Sequence, residues 1–122
     1  MLEPGSPMQL RLESYDVLLI DEVSMLDNDT LNTIEESLRK AQSTRARRAL
    51  PFGGASVILV GDLLQILPMQ RGIALEKPRN SILINQNMGL FKWIELETNF
   101  RQREDDQFAL FLNQLRIGNL TP

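Results

Sequence analysis

Two adjacent carboxylates follow a short apolar run near the start of the chain, and they are the first residues whose arrangement suggests chemistry. The stretch from Val17 to Asp27 reads VLLIDEVSMLD, so Asp21 and Glu22 come directly after four apolar residues. A carboxylate pair at the end of a buried strand is unfavourable unless a positive charge meets it there. The pattern predicts a bound cation at this point. The alternative is a plain strand that runs into a helix cap.

Polar residues also follow two later apolar stretches of the chain. Gly61, Asp62 and Gln65 come after the run Val57 to Val60, and a third polar group spans residues 99–102. In a doubly wound α/β sheet, functional groups collect at the carboxyl ends of the strands. We therefore expect all three groups at one edge of a sheet. For the second group, the alternative is a simple glycine turn.

The hydrophobic pattern predicts alternating strands and helices. The predicted strands are Asp16–Ile20, Val57–Val60, a short strand Ile82–Ile84 and one around Ile94 and Leu96, and the predicted helices are Asp29–Gln42 and one through Phe108, Phe111, Leu112 and Leu115 that stops at Gly118. A continuous apolar run such as the first is typical of a parallel strand buried on both faces. This order predicts an α/β fold with a mostly parallel sheet flanked by helices. Residues 1–14 are expected to be a loose leader, and residues 15–122 the domain.

Composition narrows the possible functions. The 122 residues, 43% hydrophobic and 24% charged, suffice for one core. Cysteine and histidine are both absent, which excludes disulfides, thiolate metal sites and a histidine base. No apolar run approaches the roughly 20 residues of a membrane span, so we expect a soluble, intracellular protein without a membrane partner.

The net charge of the chain is −3, so the chain as a whole has no electrostatic attraction to nucleic acid. A local exception is the basic group Arg45, Arg47 and Arg48. These arginines are candidates for contacts with DNA phosphates. The alternative interpretation is a solvated helix end.

The run VLLIDE resembles the Walker B pattern of P-loop NTPases. That resemblance implies that Asp21 helps to hold Mg²⁺, usually through water, and that Glu22 orients and activates the attacking water. The expected cation is then Mg²⁺ carried by ATP, with Asp21 and Glu22 as its candidate ligands.

Two further motifs are similar to those of superfamily one DNA helicases. The GDxxQ arrangement resembles motif III, which implies that Gln65 reaches the γ-phosphate of ATP. The stretch ELETNFRQ resembles motif IV, which implies that Arg101 contacts the γ-phosphate as an arginine finger. Its residue type alone leaves another interpretation open, a surface salt bridge from Arg101 to Glu104 or Asp105.

Together with PFGG before the second strand, these motifs look like those of the PIF (petite integration frequency) DNA helicases, relatives of RecD-like enzymes. The resemblance covers Tyr15 to Leu120. It implies a partial RecA-like P-loop NTPase domain that uses Mg²⁺ and ATP, moves 5′ to 3′ on single-stranded DNA and opens duplex junctions. A eukaryotic member would be nuclear or mitochondrial, and any other cytoplasmic.

The sequence departs from the family pattern in two places. No G-x-x-x-x-G-K-[ST] phosphate loop precedes Asp21 within these residues, and Leu67 stands where the first of two prolines is usual. We therefore expect an internal piece of the first motor domain, active only in a full-length enzyme and inactive alone. The alternatives are a truncated helicase remnant that acts as a non-catalytic binding module, and a loader-type ATPase, against which GDxxQ and NFRQ argue.

Overall fold

The computed structural model describes residues 3–65, 81–98, 100 and 106–118, and the chain divides into two compact units, Met1–Leu90 and Phe91–Pro122. The helices and strands are α1 (Pro7–Glu13), β1 (Val17–Ile20), α2 (Asn28–Ala41), α3 (Arg45–Arg48), β2 (Ser56–Leu59) and α4 (Asp106–Arg116). Short 3₁₀ helices occupy Val23–Met25, Pro51–Gly54, Ile82–Ile84 and Gln86–Leu90. Within the described ranges, every helix is too short or too polar to cross a membrane.

The two strands pair in parallel, as the apolar runs predicted. Val17 lies opposite Ser56, and Ile20 lies opposite Leu59. At the carboxyl end of the strands the ladder continues, because the Val60 N–H donates to the Ile20 carbonyl at 2.8 Å. The carboxyl ends of both strands therefore meet at the same edge of the sheet.

Only one face of this sheet is covered in the described part of the chain. Burial alternates along β1, with Leu18 and Ile20 half-buried while Val17 and Leu19 are 57% and 60% exposed. The prediction that this strand is buried on both faces is therefore wrong for the described residues. On the covered side, β1 borders a cavity of about 300 Å³. The cavity is lined by Leu12, Tyr15, Leu18, Ile20, Thr33, Ile34, Ser37 and Leu38.

Helix α2 forms the centre of the core and matches the predicted helix to within one residue at each end. Asp27 caps it by accepting a hydrogen bond from the Thr30 N–H at 2.6 Å. Hydrogen bonding to the Thr30 side chain and to its N–H lowers the pKa of the Asp27 carboxyl. Leu31, Leu38 and Ala41 on one side of the helix are buried completely or nearly so. Burial of this apolar stripe fixes the helix against its neighbours.

The PFGG turn, Pro51–Gly54, packs directly on α2. Phe52 is buried, and its N–H donates to the buried Glu35 carboxylate at 3.4 Å. Gly53 has a φ of 65°, and a Cβ there would lie 2.7 Å from the Leu38 carbonyl oxygen. The turn can approach the helix this closely only because position 53 is glycine. It thereby sets where β2 begins.

The first residues of the chain include a docked helix, where the sequence predicted a loose leader. The Gln9 amide of α1 donates to the Ala41 carbonyl at 3.0 Å. At the other end of α1, the Glu13 carboxylate accepts hydrogen bonds from the hydroxyl and the N–H of Ser43, and these bonds lower the pKa of the Glu13 carboxyl. Helix α1 is thus fastened to the carboxyl end of α2.

Two predicted strands are absent from the described residues. Ile82–Ile84 forms a 3₁₀ turn because the Ser81 hydroxyl accepts from the Leu83 N–H at 3.3 Å and caps it, which turns the chain away from an extended path. Ile94 and Leu96 lie in an irregular, exposed segment. Helix α4 is confirmed, and it ends before Gly118, whose φ of 69° stops the helix.

Candidate active site

Residues from two motifs meet where β1 and β2 end. Asp21 and Glu22 follow β1, and Gly61 follows β2 by two residues. The Val23 N–H donates to the Val60 carbonyl at 3.0 Å, which joins the segment after one strand to the end of the other. The two motifs are therefore held together by backbone contacts.

Glu22 has a strained backbone. Its φ of 53° and ψ of 45° lie in the left-handed region, a conformation that costs a non-glycine residue on the order of 1–3 kcal/mol. The Asp21 carboxylate accepts a hydrogen bond from the Glu22 N–H at 2.8 Å, and the chain then enters the turn Val23–Met25. Both carboxylates belong to exposed residues, whereas Val23 is buried. This reversal leaves Asp21 and Glu22 open to a ligand in solvent.

Gly61 lies against the peptide that follows Glu22. A Cβ at this glycine would be 2.7 Å from the Val23 nitrogen and 3.4 Å from the Glu22 carbonyl carbon. Contacts this short leave no room for a side chain. The apolar pattern predicts Gly61 at this edge of the sheet but does not predict its contact with Glu22.

The GDxxQ motif forms a tight turn. The Asp62 carboxylate accepts from the Leu64 N–H at 3.0 Å, and the Asp62 carbonyl accepts from the Gln65 N–H, also at 3.0 Å. Gln65 is exposed at the end of this turn. The turn is typical of an aspartate that caps its own loop, and it gives the Gln65 side chain access to solvent near the ends of the strands.

Of the third predicted group, residues 99–102, only Phe100 is among the described residues. Arg101 belongs to the range 101–105, which also contains its predicted salt-bridge partners Glu104 and Asp105. Its proposed contact with phosphate therefore stays a prediction.

The carboxylate pair fits a metal that arrives with its own ligands. In the described part of the chain, no three acidic side chains lie close enough together to hold a metal ion by themselves. Mg²⁺ in phosphate-transfer sites is commonly bound by one or two carboxylates, substrate phosphates and water. Asp21 and Glu22 provide that number of carboxylates. The donor set is thus compatible with Mg²⁺ bound together with a nucleotide.

The arginines before the PFGG turn have structural partners. Arg47 donates to the Gly53 carbonyl at 3.2 Å, and Arg39 donates to the Arg48 carbonyl at 2.8 Å. Arg48 in turn donates to the Gln42 carbonyl. These guanidinium groups tie the segment between α2 and β2 together, a role that neither sequence interpretation included.

A buried carboxylate in α2 was not identified as important from the sequence. Glu35 is 8% exposed, accepts from the Phe52 N–H and lies 3.5 Å from the Arg39 guanidinium. The available signal was its spacing, because positions 31, 35 and 38 share one face of a helix. A glutamate on that apolar stripe indicates a specific buried partner.

Comparison with known proteins gives consistent matches. A family model described as PIF1-like helicase matches residues 1–121. The ATP-dependent DNA helicase PIF1 of Emericella nidulans is 37% identical over 106 residues, which cover 87% of this chain and 14% of that protein. The protein of the same name from Trypanosoma brucei brucei is 37% identical over 108 residues, covering 88% of this chain and 10% of that protein.

Solved structures show the same likeness. The Pif1 helicase from Bacteroides in complex with ADP-AlF3 and ssDNA has a TM-score of 0.80 at 29% identity, covering 99% of this chain and 29% of that chain. The Pif1 helicase from Candida albicans has a TM-score of 0.76 at 29% identity, covering 93% of this chain and 24% of that chain. The predicted partial RecA-like α/β fold is confirmed. The chain spans 10 to 14% of the length of the two curated relatives.

Proposed function

This chain belongs to the PIF1-like helicase family, and on that premise we propose that it forms part of the first motor domain of an ATP-dependent DNA helicase. The supporting observation is the junction of the two motifs, where the Val23 N–H bonds to the Val60 carbonyl. This bond places Asp21 and Glu22 beside the start of the GDxxQ turn. ATP hydrolysis by a carboxylate pair at the carboxyl end of a parallel sheet is the activity that this arrangement fits best.

Each residue has a distinct proposed role. Asp21 would help to hold the metal, usually through water, while its carboxylate also accepts a hydrogen bond from the Glu22 N–H. Mg²⁺, when bound, neutralises charge on the phosphates and orients them. The exposed Glu22 carboxylate accepts a proton from the attacking water. Gln65 donates its amide to the γ-phosphate from the end of its turn, and Arg101 supplies positive charge there as an arginine finger.

DNA is the proposed partner. Solved Pif1 structures include a Bacteroides protein bound to ssDNA and one described as unwinding forked dsDNA by two coordinating Pif1 helicases. By family membership, we extend binding of single strands and of duplex junctions to the protein that contains this chain. Translocation from 5′ to 3′ rests on the sequence resemblance.

The decisive experiment separates nucleotide binding from turnover in a full-length helicase that carries these residues. Glu22→Gln keeps the size of the side chain but cannot accept the proton from water. We expect an unchanged dissociation constant for Mg-ATP and a loss of DNA-stimulated turnover of about 10²–10⁴-fold. Isothermal titration measures the first quantity and phosphate release the second.

Glu36→Gln is the matched control, because Glu36 is an exposed glutamate on α2 whose partner is Lys40. It should keep normal turnover. Full turnover in the Glu22 variant would refute the assignment. Absence of turnover in the unchanged protein, with DNA binding retained, would favour the non-catalytic binding module instead.

A further inference from the structure

Two unfavourable features adjoin each other in the segment that carries the proposed base. Glu22 has left-handed backbone angles. Two residues later, the Ser24 hydroxyl is buried and finds no hydrogen-bond partner in the described structure. A buried, unpaired polar group and a strained backbone persist only when neighbouring atoms hold them in place. The segment Glu22–Ser24 therefore depends on its surroundings for its conformation.

The surroundings that hold this segment come from the end of β2. The Val60 carbonyl accepts from the Val23 N–H at 3.0 Å. Gly61 then covers the same peptide, since a Cβ there would lie 2.7 Å from the Val23 nitrogen, 3.0 Å from the Val23 Cγ1 atom and 3.4 Å from the Glu22 carbonyl carbon. Two of these three contacts are with backbone atoms, which cannot move aside by rotation of a side chain.

We propose that Gly61 is a positioning residue for the Glu22 carboxylate, an inference that rests on the proposed function of Glu22. The glycine lets the end of β2 pack closely against the Glu22–Val23 peptide, and this contact keeps Glu22 in its left-handed conformation. Any side chain at position 61 pushes Val23 away from Val60 and weakens the bond between them. Glu22 then relaxes toward ordinary backbone angles, and its carboxylate leaves its place beside the nucleotide.

The test uses Gly61→Ala in a full-length helicase that carries these residues. We expect kcat for ATP hydrolysis to fall by about 10²-fold, because a misplacement of about 1 Å has effects of that order, while KM for ATP changes by less than about threefold. Turnover is divided by the number of nucleotide sites counted by titration with labelled ADP. Loss of folded protein is thereby not counted as loss of catalysis.

Two other glycines serve as controls. The Cβ introduced by Gly53→Ala would lie 2.7 Å from the Leu38 carbonyl oxygen, a contact as short as the one that Gly61→Ala creates. Gly53 also has a positive φ, but its contact is with α2 and not with Glu22. It should lower stability and leave kcat per site unchanged. Gly89→Ala adds a Cβ with nothing within 4 Å and should change neither quantity. If Gly53→Ala lowers kcat per site as much as Gly61→Ala does, instability explains the loss and the positioning role is wrong.

Double variants identify the route of the effect. Adding Val23→Ala to Gly61→Ala removes the contact with Cγ1 but keeps the contact with the Val23 nitrogen, so kcat should stay low. Recovery of kcat would assign the effect to side-chain crowding and overturn the proposal. In the Glu22→Gln background, Gly61→Ala should have no additional effect, because both changes act on one group. A full additional 10²-fold loss would show that Gly61 does not act through Glu22.

The two hypotheses fail in different ways. If Glu22→Gln keeps full turnover, the proposed function of Glu22 is wrong whatever Gly61 does. If Glu22→Gln loses turnover and Gly61→Ala keeps normal kcat, the function stands and the positioning role of Gly61 is wrong.

Discussion

Two turns in the described part of the chain hold a non-glycine residue in the left-handed conformation, and the two differ in what stabilises the strained residue. Glu22 has a φ of 53° and Phe52 a φ of 52°. The Phe52 side chain is buried, and its N–H bonds to Glu35. The Glu22 residue is exposed, and Val60 and Gly61 contact the peptide that joins it to Val23.

At Phe52, packing of the buried side chain offsets the backbone strain. At Glu22, the strained backbone leaves the carboxylate exposed to solvent. Burial of a phenylalanine side chain contributes about 1.5–3 kcal/mol, which matches the order of the strain at Phe52. Nothing comparable is buried by the Glu22 side chain. The Glu22 conformation is stabilised by contacts from Val60 and Gly61 instead, which is the arrangement expected of a residue with a catalytic role.

Removal of the packed side chain should have the largest effect. Phe52→Ala should lower the free energy of opening of the amides in α2 by about 3–5 kcal/mol, because it leaves a cavity in a tightly packed turn. Hydrogen exchange in a full-length helicase measures this quantity. Leu50→Ala, at the half-exposed residue just before this turn, is the control and should cost far less. Equal losses from both variants would contradict a special role for packing at Phe52.

An intermediate effect is expected from Glu35, which lies beneath the same turn. Glu35→Ala removes the buried carboxylate that accepts from the Phe52 N–H, at a cost of about 1–3 kcal/mol. The neighbouring variant Glu36→Ala removes an exposed pair with Lys40 and should cost far less, because solvent screens exposed ion pairs. Hydrogen exchange of α2 again provides the measurement. A cost for Glu36→Ala as high as that for Glu35→Ala would show that burial of the carboxylate is not the cause.

The smallest effect is expected at the other turn. Glu22→Gly should raise the free energy of opening around Val23 by up to about 1 kcal/mol, because relief of the left-handed strain exceeds the extra conformational entropy that glycine loses on folding. Turnover is lost with the carboxylate, so this variant is more stable and inactive. Hydrogen exchange of the segment 22–25 checks the sign. A decrease would mean that the Glu22 side chain itself stabilises the turn.

Much of this arrangement could be predicted from local patterns. The parallel strands, α2 and the position of Asp21, Glu22 and Gln65 after the strands follow from apolar runs and helical spacing, which depend on near neighbours in the chain. The docked helix α1 was not predicted, because its anchors are a few hydrogen bonds to residues about 30 positions away. Such contacts leave no periodic signal.

The left-handed backbone conformations of Glu22 and Phe52 could not be predicted from the sequence either. Nothing in the residue type of Glu22 or Phe52 favours a positive φ, and both are imposed by tertiary contacts. The 3₁₀ turn at Ile82–Ile84 shows the same limit, since three apolar residues with strand propensity follow the cap that Ser81 provides.

The hydrogen bond between Val23 and Val60 also bears on the order of folding. It joins two points that are separated along the chain by all of α2, α3 and the PFGG turn. Closing so long a loop has an entropic cost, which is reduced when the intervening segment is already compact. We therefore expect the helix and its docked turn to form first and the junction near Glu22 to form last. During synthesis, the carboxylate pair would leave the ribosome well before the residues that later fix its geometry.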